Sequence, residues 1–302
     1  MPDASPRAAS VAVVPCFNEG RNPLDLVAVL LAVPDLHAIF VDDGSEGSSR
    51  VALDEVSRRD PRVAVVRNGA RVGKAASLTN VMRGLDAATR RILLVDCDVA
   101  LPAASLQSVL QELDRADLVL ANATAFQKPR SRWETGAIFS ANRHDRLRRR
   151  CLDRYPALCT NGRLLGVSRR LNDAIVGSDV PPHTEDAHFM LVCLSQGYVY
   201  SYRPDATLQY RAPDTLEDYL RQSNRFAEGR ALLRERWAPD VLERYYDPKP
   251  ADLLATFFSE ALRDPLGAGA FVTMRALNAL RGAPRRSRDG AWAVAASTKE
   301  LR

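Results

Sequence analysis

The chain has 302 residues, of which 46% are hydrophobic and 26% are charged, and this composition excludes a disordered or fibrous protein. No stretch approaches the roughly 18 uninterrupted apolar residues of a spanning helix, and residues 1–10 lack the apolar core of a signal peptide. These features predict a cytoplasmic protein. Five cysteines without metal-type spacing argue against a disulfide framework and a zinc site, and they predict buried thiols.

The formal net charge is +5, and basic residues cluster at 143–150 and 281–288. Such clusters either contact anionic lipid head groups, nucleic acid or a phosphorylated substrate, or they form a solvated helix face and a flexible tail. No nucleic-acid-binding module accompanies them, so no nucleic-acid partner is expected.

Strands and helices alternate over the first 125 residues. Apolar strands are predicted at 10–15, 37–42, 63–66, 92–95 and 118–121, with helices at 23–33, 48–59, 73–88 and 103–115. This alternation predicts an α/β fold with a mainly parallel, Rossmann-type sheet covered by helices on both faces.

The pattern changes beyond residue 125. It predicts a basic helix at 131–150, a strand at 164–168, an amphipathic helix at 184–195 capped by Thr184, and short strands at 198–202 and 207–211. From residue 215 the chain is mainly helical. Two amphipathic helices within 250–280 either pack on the preceding domain or lie in a membrane interface.

The fourth predicted strand ends in Asp96-Cys97-Asp98. Side chains alternate along a strand, so both aspartates project to one side and Cys97 projects to the other. In an open α/β sheet this is the edge where ligands bind, and two close carboxylates favour a bound cation. The pattern indicates a divalent metal site for Mn²⁺ or Mg²⁺, although an acidic turn has the same sequence.

Six motifs occur in one order along the chain: Pro15-Cys-Phe-Asn-Glu19, Val41-Asp-Asp-Gly-Ser45, Gly73-Lys-Ala-Ala76, Asp96-Cys-Asp98, Thr184-Glu-Asp186 and Gln222-Ser-Asn-Arg-Phe226. Together they resemble the family-2 glycosyltransferases over about residues 10–230, especially the branch with cellulose, chitin and hyaluronan synthases and ceramide glucosyltransferase. The resemblance implies a GT-A fold, a nucleotide-sugar donor (usually a UDP-sugar), a divalent metal and inversion at the anomeric carbon. The chain lacks the spanning helices of the polymer synthases, which favours transfer of one sugar.

On the donor side, the resemblance implies that Asp42 and Asp43 hold the nucleoside and that Pro15, Asn18 and Glu19 frame its base and ribose. Gly73 and Lys74 begin a helix, where backbone amides and the helix dipole favour anions, so we expect Lys74 against the diphosphate together with Asp96. The alternatives are a tight acidic turn at Asp42-Asp43 and an exposed first-turn lysine at Lys74. The family's usual Asn five residues after the lysine is replaced by Thr79, with Asn80 next to it.

On the acceptor side, the resemblance makes Asp186 the general base and Glu185 its supporting neighbour. The start of a helix favours the ionised carboxylate that a base requires, although helix capping alone also explains the position. Gln222 and Arg225 lie three residues apart and so share one helix face, which the resemblance places over the acceptor and diphosphate. Phe226 replaces the family's usual Trp. Asn161-Gly162 either lines the acceptor side or forms a plain turn.

His183 and His188 flank the acidic motif without a recognised ligand spacing and are interpreted as structural residues. The predicted organisation is a disordered segment 1–9, a GT-A domain 10–214 whose donor half ends near 125 and whose acceptor half follows, and a helical appendage 215–302 with a basic tail.

The predicted function is therefore an inverting, metal-dependent transfer of one sugar from a UDP-sugar to a hydroxyl on a small molecule, lipid carrier or glycan. A peripheral contact with anionic membrane, at the inner face of the cell membrane, is a further expectation. Two alternatives are a sugar nucleotidyltransferase, whose glycine-rich amino-terminal signature is absent, and a non-catalytic nucleotide-sugar-binding scaffold.

Overall fold

A computed structural model describes residues 8–280, 296–299 and 301 of the chain. The first seven residues of the expected disordered segment and the basic cluster at 281–288 lie outside the described residues. Order begins before residue 10, because Ala8 is buried and the Ala9 carbonyl accepts the amides of Arg90 and Arg91.

One eight-stranded sheet organises the fold, in the order β3-β2-β1-β4-β7-β6-β8-β5. The strands are β1 (Ser10–Cys16), β2 (Leu36–Asp42), β3 (Val63–Arg67), β4 (Arg91–Val95), β5 (Val99–Ala100), β6 (Leu118–Ala125), β7 (Leu164–Ser168) and β8 (Tyr200–Tyr210). The expected parallel pairing joins β1 to β2 and β4, and β2 to β3, whereas β7 runs antiparallel to β4 and β6. The sheet is therefore mixed, with its parallel part in the first hundred residues.

The helices are α1 (Asn22–Leu31), α2 (Gly47–Val56), α3 (Lys74–Arg83), α4 (Ala103–Glu112), α5 (Arg132–Cys151), α6 (Pro156–Cys159), α7 (Arg169–Val176), α8 (Glu185–Ser195), α9 (Leu216–Arg236), α10 (Pro239–Tyr245), α11 (Pro250–Ala261) and α12 (Pro265–Leu280). A short 3₁₀ turn covers Ala296–Lys299. The strands β1 and β4 read as continuous apolar runs because both faces of the sheet are covered, and Val11, Val13, Ile92 and Leu93 are fully buried.

The chain divides into two compact units. The first comprises Met1–Ala123 and Asn161–Leu208, and the second comprises Thr124–Thr160 and Gln209–Arg302. The boundaries fall within β6 and β8 as well as before β7. Within the described residues, no helix combines the length and the apolar character that crossing a bilayer would need.

The second unit is built on α5, which packs against both α11 and α12. Gly136 permits this approach, since a Cβ there would lie 2.5 Å from the Met274 Cε. Phe139 packs edge-on against Phe257 and at a tilt against Phe271, with ring centroids 5.7 and 5.5 Å apart. The basic helix predicted at 131–150 is thus an apolar packing element on one side.

Three local predictions need correction. The two short strands expected near residues 198–211 are one strand, β8, because Pro204 adopts the extended conformation without interrupting it and its carbonyl accepts the Asn122 side-chain amide. Helix α8 is not amphipathic, since Ala187 to Cys193 are all buried. Thr184 occupies its N-cap position, but its side chain does not cap the helix.

Candidate active site

The carboxyl ends of β1, β2 and β4 meet at one edge of the first unit's sheet, because the three strands are parallel neighbours. Asp42 ends β2 in register with Cys16, and Asp96 follows the end of β4. The predicted alternation after β4 is confirmed, since Cys97 is buried while Asp96 and Asp98 remain partly exposed. All five cysteines of the chain are free and buried, as predicted.

Lys74 joins two of the predicted acidic motifs. Its Nζ lies 2.6 Å from Asp96 Oδ1 and 3.1 Å from Glu185 Oε1. Burial alone would lower the pKa of this ammonium, but the charges of Asp96 and Glu185 outweigh burial and raise the pKa. Lys74 is therefore a paired cation between strand end and helix start, not the exposed first-turn lysine that the sequence also allowed.

Asp186 is held by main-chain donors. Its Oδ2 accepts the Gly162 amide at 2.9 Å, and its Oδ1 accepts the Ala187 amide at 2.8 Å. Burial and the neighbouring charge of Glu185 raise its pKa to about 6, against the opposing effects of Lys74 and the two amides. This shift is opposite to the direction expected from the helix start, because loss of hydration outweighs the helix dipole.

The segment Asn161–Arg163 connects this carboxylate to the strand end. The Arg163 carbonyl accepts the Asp96 amide at 2.9 Å, while the Gly162 amide donates to Asp186. A Cβ at residue 162 would lie 3.1 Å from Asp186 Cβ, so only glycine fits without displacement. The turn at Asn161-Gly162 is therefore part of the site through its contact with Asp186. Its position on the acceptor side stays a prediction.

Asp43 shapes the loop before α3. Its carboxylate accepts the Val72 and Gly73 amides and the Asn68 side-chain amide, each at 2.8 Å. Gly73 has φ +91, a conformation that favours glycine, and this places its N–H toward Asp43. The contact of Asp43 with a nucleoside stays a prediction.

Asp42 and Asn18 stabilise the neighbouring turns. Asp42 accepts the Ser45 amide at 2.7 Å and lies 3.4 Å from Arg67 Nε. Asn18, whose φ is +52, accepts the Glu46 amide on its side chain and donates its own amide to the Ser45 hydroxyl. Asp42 thus forms the acidic turn that the sequence also allowed, and its contact with a nucleoside stays a prediction. Pro15 lies partly buried in β1, and Glu19 is buried beyond it.

Arg71 was missed by sequence reasoning. Its guanidinium lies over the Phe17 ring, 3.8 Å from the centroid, beside Gly44. An arginine three residues before Lys74 and an aromatic residue inside the first motif were the available signals. The pair forms a cationic and aromatic surface next to the loops of Asn18 and Asp43.

Thr79 and Asn80, where the sequence departs from the family pattern, have different environments on α3. Thr79 is buried and its hydroxyl donates to the Ala75 carbonyl, whereas Asn80 is exposed. His188 is buried and 2.9 Å from the Ser178 hydroxyl, which agrees with a structural role. His183 has φ +73, an uncommon value for a histidine, directly before Thr184.

Gln222 and Arg225 lie on α9 in the second unit, and both are partly exposed. The Arg225 guanidinium is 5.4 Å from the centroid of the Phe226 ring, which is 47% exposed. Their contact with acceptor and diphosphate remains a prediction.

The donor set around Lys74 fits a divalent cation. Three carboxyl groups interact with the single Lys74 ammonium, so negative charge is in excess there. They belong to Asp96, Glu185 and Asp186. Among the described residues, no three His, Cys, Asp or Glu side chains converge as a ready metal cage. The pair Asp96 and Asp98 as metal ligands stays a prediction; donor phosphates and water would have to complete the oxygen shell that Mn²⁺ and Mg²⁺ prefer.

Comparison with known proteins identifies the family of the chain and its fold. Residues 11–175 match the model of the family described as glycosyl transferase family 2. An N-acetylglucosaminyltransferase of Rhizobium sp. (strain N33) is 26% identical over 77% of this chain and 55% of its own length. A polyprenol monophosphomannose synthase of Mycolicibacterium smegmatis is 30% identical over 38% of this chain and 45% of its own length. The chain thus spans about half the length of the curated relatives it matches.

Two solved structures show the same fold. A mannosyltransferase of Pyrobaculum calidifontis, in complex with GDP-Man and Mn²⁺, superposes with a TM-score of 0.58 at 18% identity, covering 94% of this chain and 79% of its own. A glucosyl-3-phosphoglycerate synthase of Mycobacterium tuberculosis, with Mn²⁺, UDP-glucose and phosphoglyceric acid, gives 0.52 at 14% identity over 80% and 81%. Because the family model covers more than half of the chain and these neighbours share its architecture, the chain belongs to glycosyl transferase family 2 and has the GT-A fold.

Proposed function

We propose that this protein transfers one sugar from a nucleoside-diphosphate sugar to an acceptor hydroxyl, with inversion at the anomeric carbon. The observation that carries the proposal is the environment of Asp186, a partly buried carboxylate with a pKa of about 6 that two amides hold beside the Lys74 cluster. A carboxylate with a pKa near the working pH is suited to remove a proton from a hydroxyl as that oxygen attacks. Glu185 supports it by pairing with Lys74.

On the donor side, a bound Mn²⁺ or Mg²⁺ would stabilise the negative charge of the leaving diphosphate as a Lewis acid. Asp96 and Asp98 would hold the ion, and the Lys74 ammonium, at the start of α3, would add positive charge for the phosphates. The Asn18 and Asp43 loops, with Phe17 and Arg71 beside them, would bind the nucleoside.

The donor is proposed to be a UDP-sugar, which one structural neighbour holds, while another holds GDP-Man. The acceptor hydroxyl is proposed to belong to a small molecule, a lipid carrier or a glycan. The relative named polyprenol monophosphomannose synthase supports the lipid carrier among these three.

Calorimetric titration tests the donor site. Purified protein is titrated with UDP and with GDP, with Mn²⁺ or with a chelator, alongside Asp96→Asn/Asp98→Asn. We expect UDP binding that requires Mn²⁺ and is lost in the variant. Because the variant also loses the Asp96 charge beside Lys74, circular dichroism should verify that it is folded at the temperature of the titration. If neither nucleotide binds under any metal condition, the proposed donor site is wrong.

Donor hydrolysis separates an enzyme from a binding scaffold. Asp186→Asn keeps the shape of the side chain and its ability to accept one amide, but removes the base. We expect it to retain UDP affinity while slow hydrolysis of the UDP-sugar falls by about a hundredfold or more. Equal hydrolysis by wild type and variant would exclude Asp186 as the base, and absence of any turnover of bound donor by wild type would favour the scaffold.

A further inference from the structure

The hairpin formed by α11 and α12 exposes a row of large apolar side chains. We call this its outer face, and it comprises Leu254, Phe258, Leu262, Leu266, Val272 and Leu280. Leu262 and Leu266, at the turn between the helices, are 87% and 82% exposed. Of the ten large hydrophobic residues that are exposed among the described residues, these six lie within one stretch of 27 residues, so they form a patch and not a scatter.

The spacing of these residues follows the helix period. Leu254, Phe258 and Leu262 are separated by four residues each, so they lie on one side of α11 and its C-cap. The opposite side of the same helix carries the buried Thr256 and Glu260. Each helix therefore packs against α5 through one side and exposes an apolar side as well.

Each of the three acids of residues 250–280 has a partner within the second unit. Asp252 pairs with Arg154 at 3.0 Å, and the buried Glu260 pairs with Arg146. The Asp264 carboxylate accepts the amide of Gly267, in the first turn of α12, at 2.8 Å. Glu260 is buried, and Asp252 and Asp264 are partly exposed beside these partners.

The exposed charges of the hairpin are basic. Within residues 250–280, Arg263 and Arg275 are the exposed charged residues. An apolar face flanked by arginines complements the acyl chains and head groups of an anionic bilayer.

We infer that the outer face of the α11–α12 hairpin lies in the interface of an anionic lipid bilayer, with Leu254, Phe258, Leu262 and Leu266 among the acyl chains and Arg263 and Arg275 at the head groups. Neither helix spans the bilayer, since neither is long and apolar enough. The surface is formed by the second unit and does not depend on the proposed sugar transfer. The inference combines the two interpretations of this segment, because each helix has one side packed against the protein and another side facing the lipid.

Vesicle flotation with the full chain tests the inference. Wild type is compared on vesicles of pure phosphatidylcholine and on vesicles with roughly one-third phosphatidylglycerol, at low and at physiological salt. Leu262→Gln/Leu266→Gln removes the two most exposed side chains, and Val51→Gln/Val199→Gln, which alters exposed valines of the first unit, is the matched control. Circular dichroism and melting temperature verify that each variant folds.

We expect wild type and the valine control to float with the anionic vesicles. The leucine variant should bind these vesicles at least about tenfold more weakly. Failure of wild type to float at low salt would overturn the inference. The inference would also be overturned if the leucine variant bound the vesicles with wild-type affinity and this binding were lost at physiological salt. The arginines alone would then account for the binding. A solution dimer that the leucine variant dissociates would overturn the inference in favour of self-association through this face.

Discussion

Replacing Lys74 by methionine tests whether the ion cluster at the site exists in solution. The change keeps the length of the side chain and removes the ammonium that pairs with Asp96 and Glu185, whose side chains are 21% and 8% exposed. Removing one partner of a buried ion pair costs about 3–5 kcal/mol, and partial exposure here places the expected loss near 3 kcal/mol. For a unit of this size each kcal/mol shifts the melting temperature by about 2–4 °C, so we expect a decrease of about 6–12 °C.

The assay is thermal unfolding at neutral pH without metal or nucleotide, followed by circular dichroism. Arg59→Met is the control, because Arg59 pairs with Glu55 on the surface with both side chains over 40% exposed. Exposed pairs four residues apart on a helix contribute only about 0.3–0.5 kcal/mol, so its melting temperature should stay within about 2 °C of wild type. An unchanged melting temperature in Lys74→Met would refute the reasoning, since the two carboxylates would then not depend on the lysine.

Three further predictions concern Asp186. In Gly162→Ala the added methyl would lie 3.3 Å from Asp186 Oδ2, so kcat should fall about 10–100-fold with little change in the KM for the donor. The control Gly269→Ala has open space around the added Cβ and should behave as wild type. Because the base must be ionised and its pKa is about 6, kcat/KM should decrease as the pH falls through 6, and a profile flat from pH 5 to 8 would contradict the assignment. Glu185→Gln removes a charge that raises this pKa, so the acidic limb of the profile should move to lower pH. An unmoved limb would show that the two carboxylates do not interact, and a shift to higher pH would contradict the direction of the effect.

Local sequence patterns predicted the parallel part of the fold well. The apolar runs of β1, β2 and β4 are bounded by turns, and their burial on both faces leaves a strong local signal. The alternating burial of Asp96, Cys97 and Asp98 agrees with the pattern predicted for the strand end, although β4 itself ends at Val95. The direction of β7 could not be predicted in this way, because antiparallel pairing with β4 is a property of the returning chain and leaves no mark in its five residues.

The sequence singled out Lys74, Asp96, Glu185 and Asp186, which the structure brings together, but it did not predict the contacts between them. Lys74 and Glu185 are far apart in sequence, so their 3.1 Å approach depends on tertiary structure. The motif that contains Asp186 located the carboxylate, but the raised pKa follows from burial, which the sequence does not display. Arg71 escaped notice because its partner, Phe17, lies on a different loop.

The link between Asp96 and Asp186 is made by peptide groups. The Arg163 carbonyl and the Gly162 amide make these bonds through the main chain, and the Asn161 side chain supports the turn by accepting the Arg163 amide at 3.1 Å. The side chain at position 163 can therefore be varied in a designed library, with Asn161 kept, while the distance between the end of β4 and α8 is maintained. Glycine at position 162 must be kept as well, and its loss would disturb the reacting geometry before it disturbed the fold.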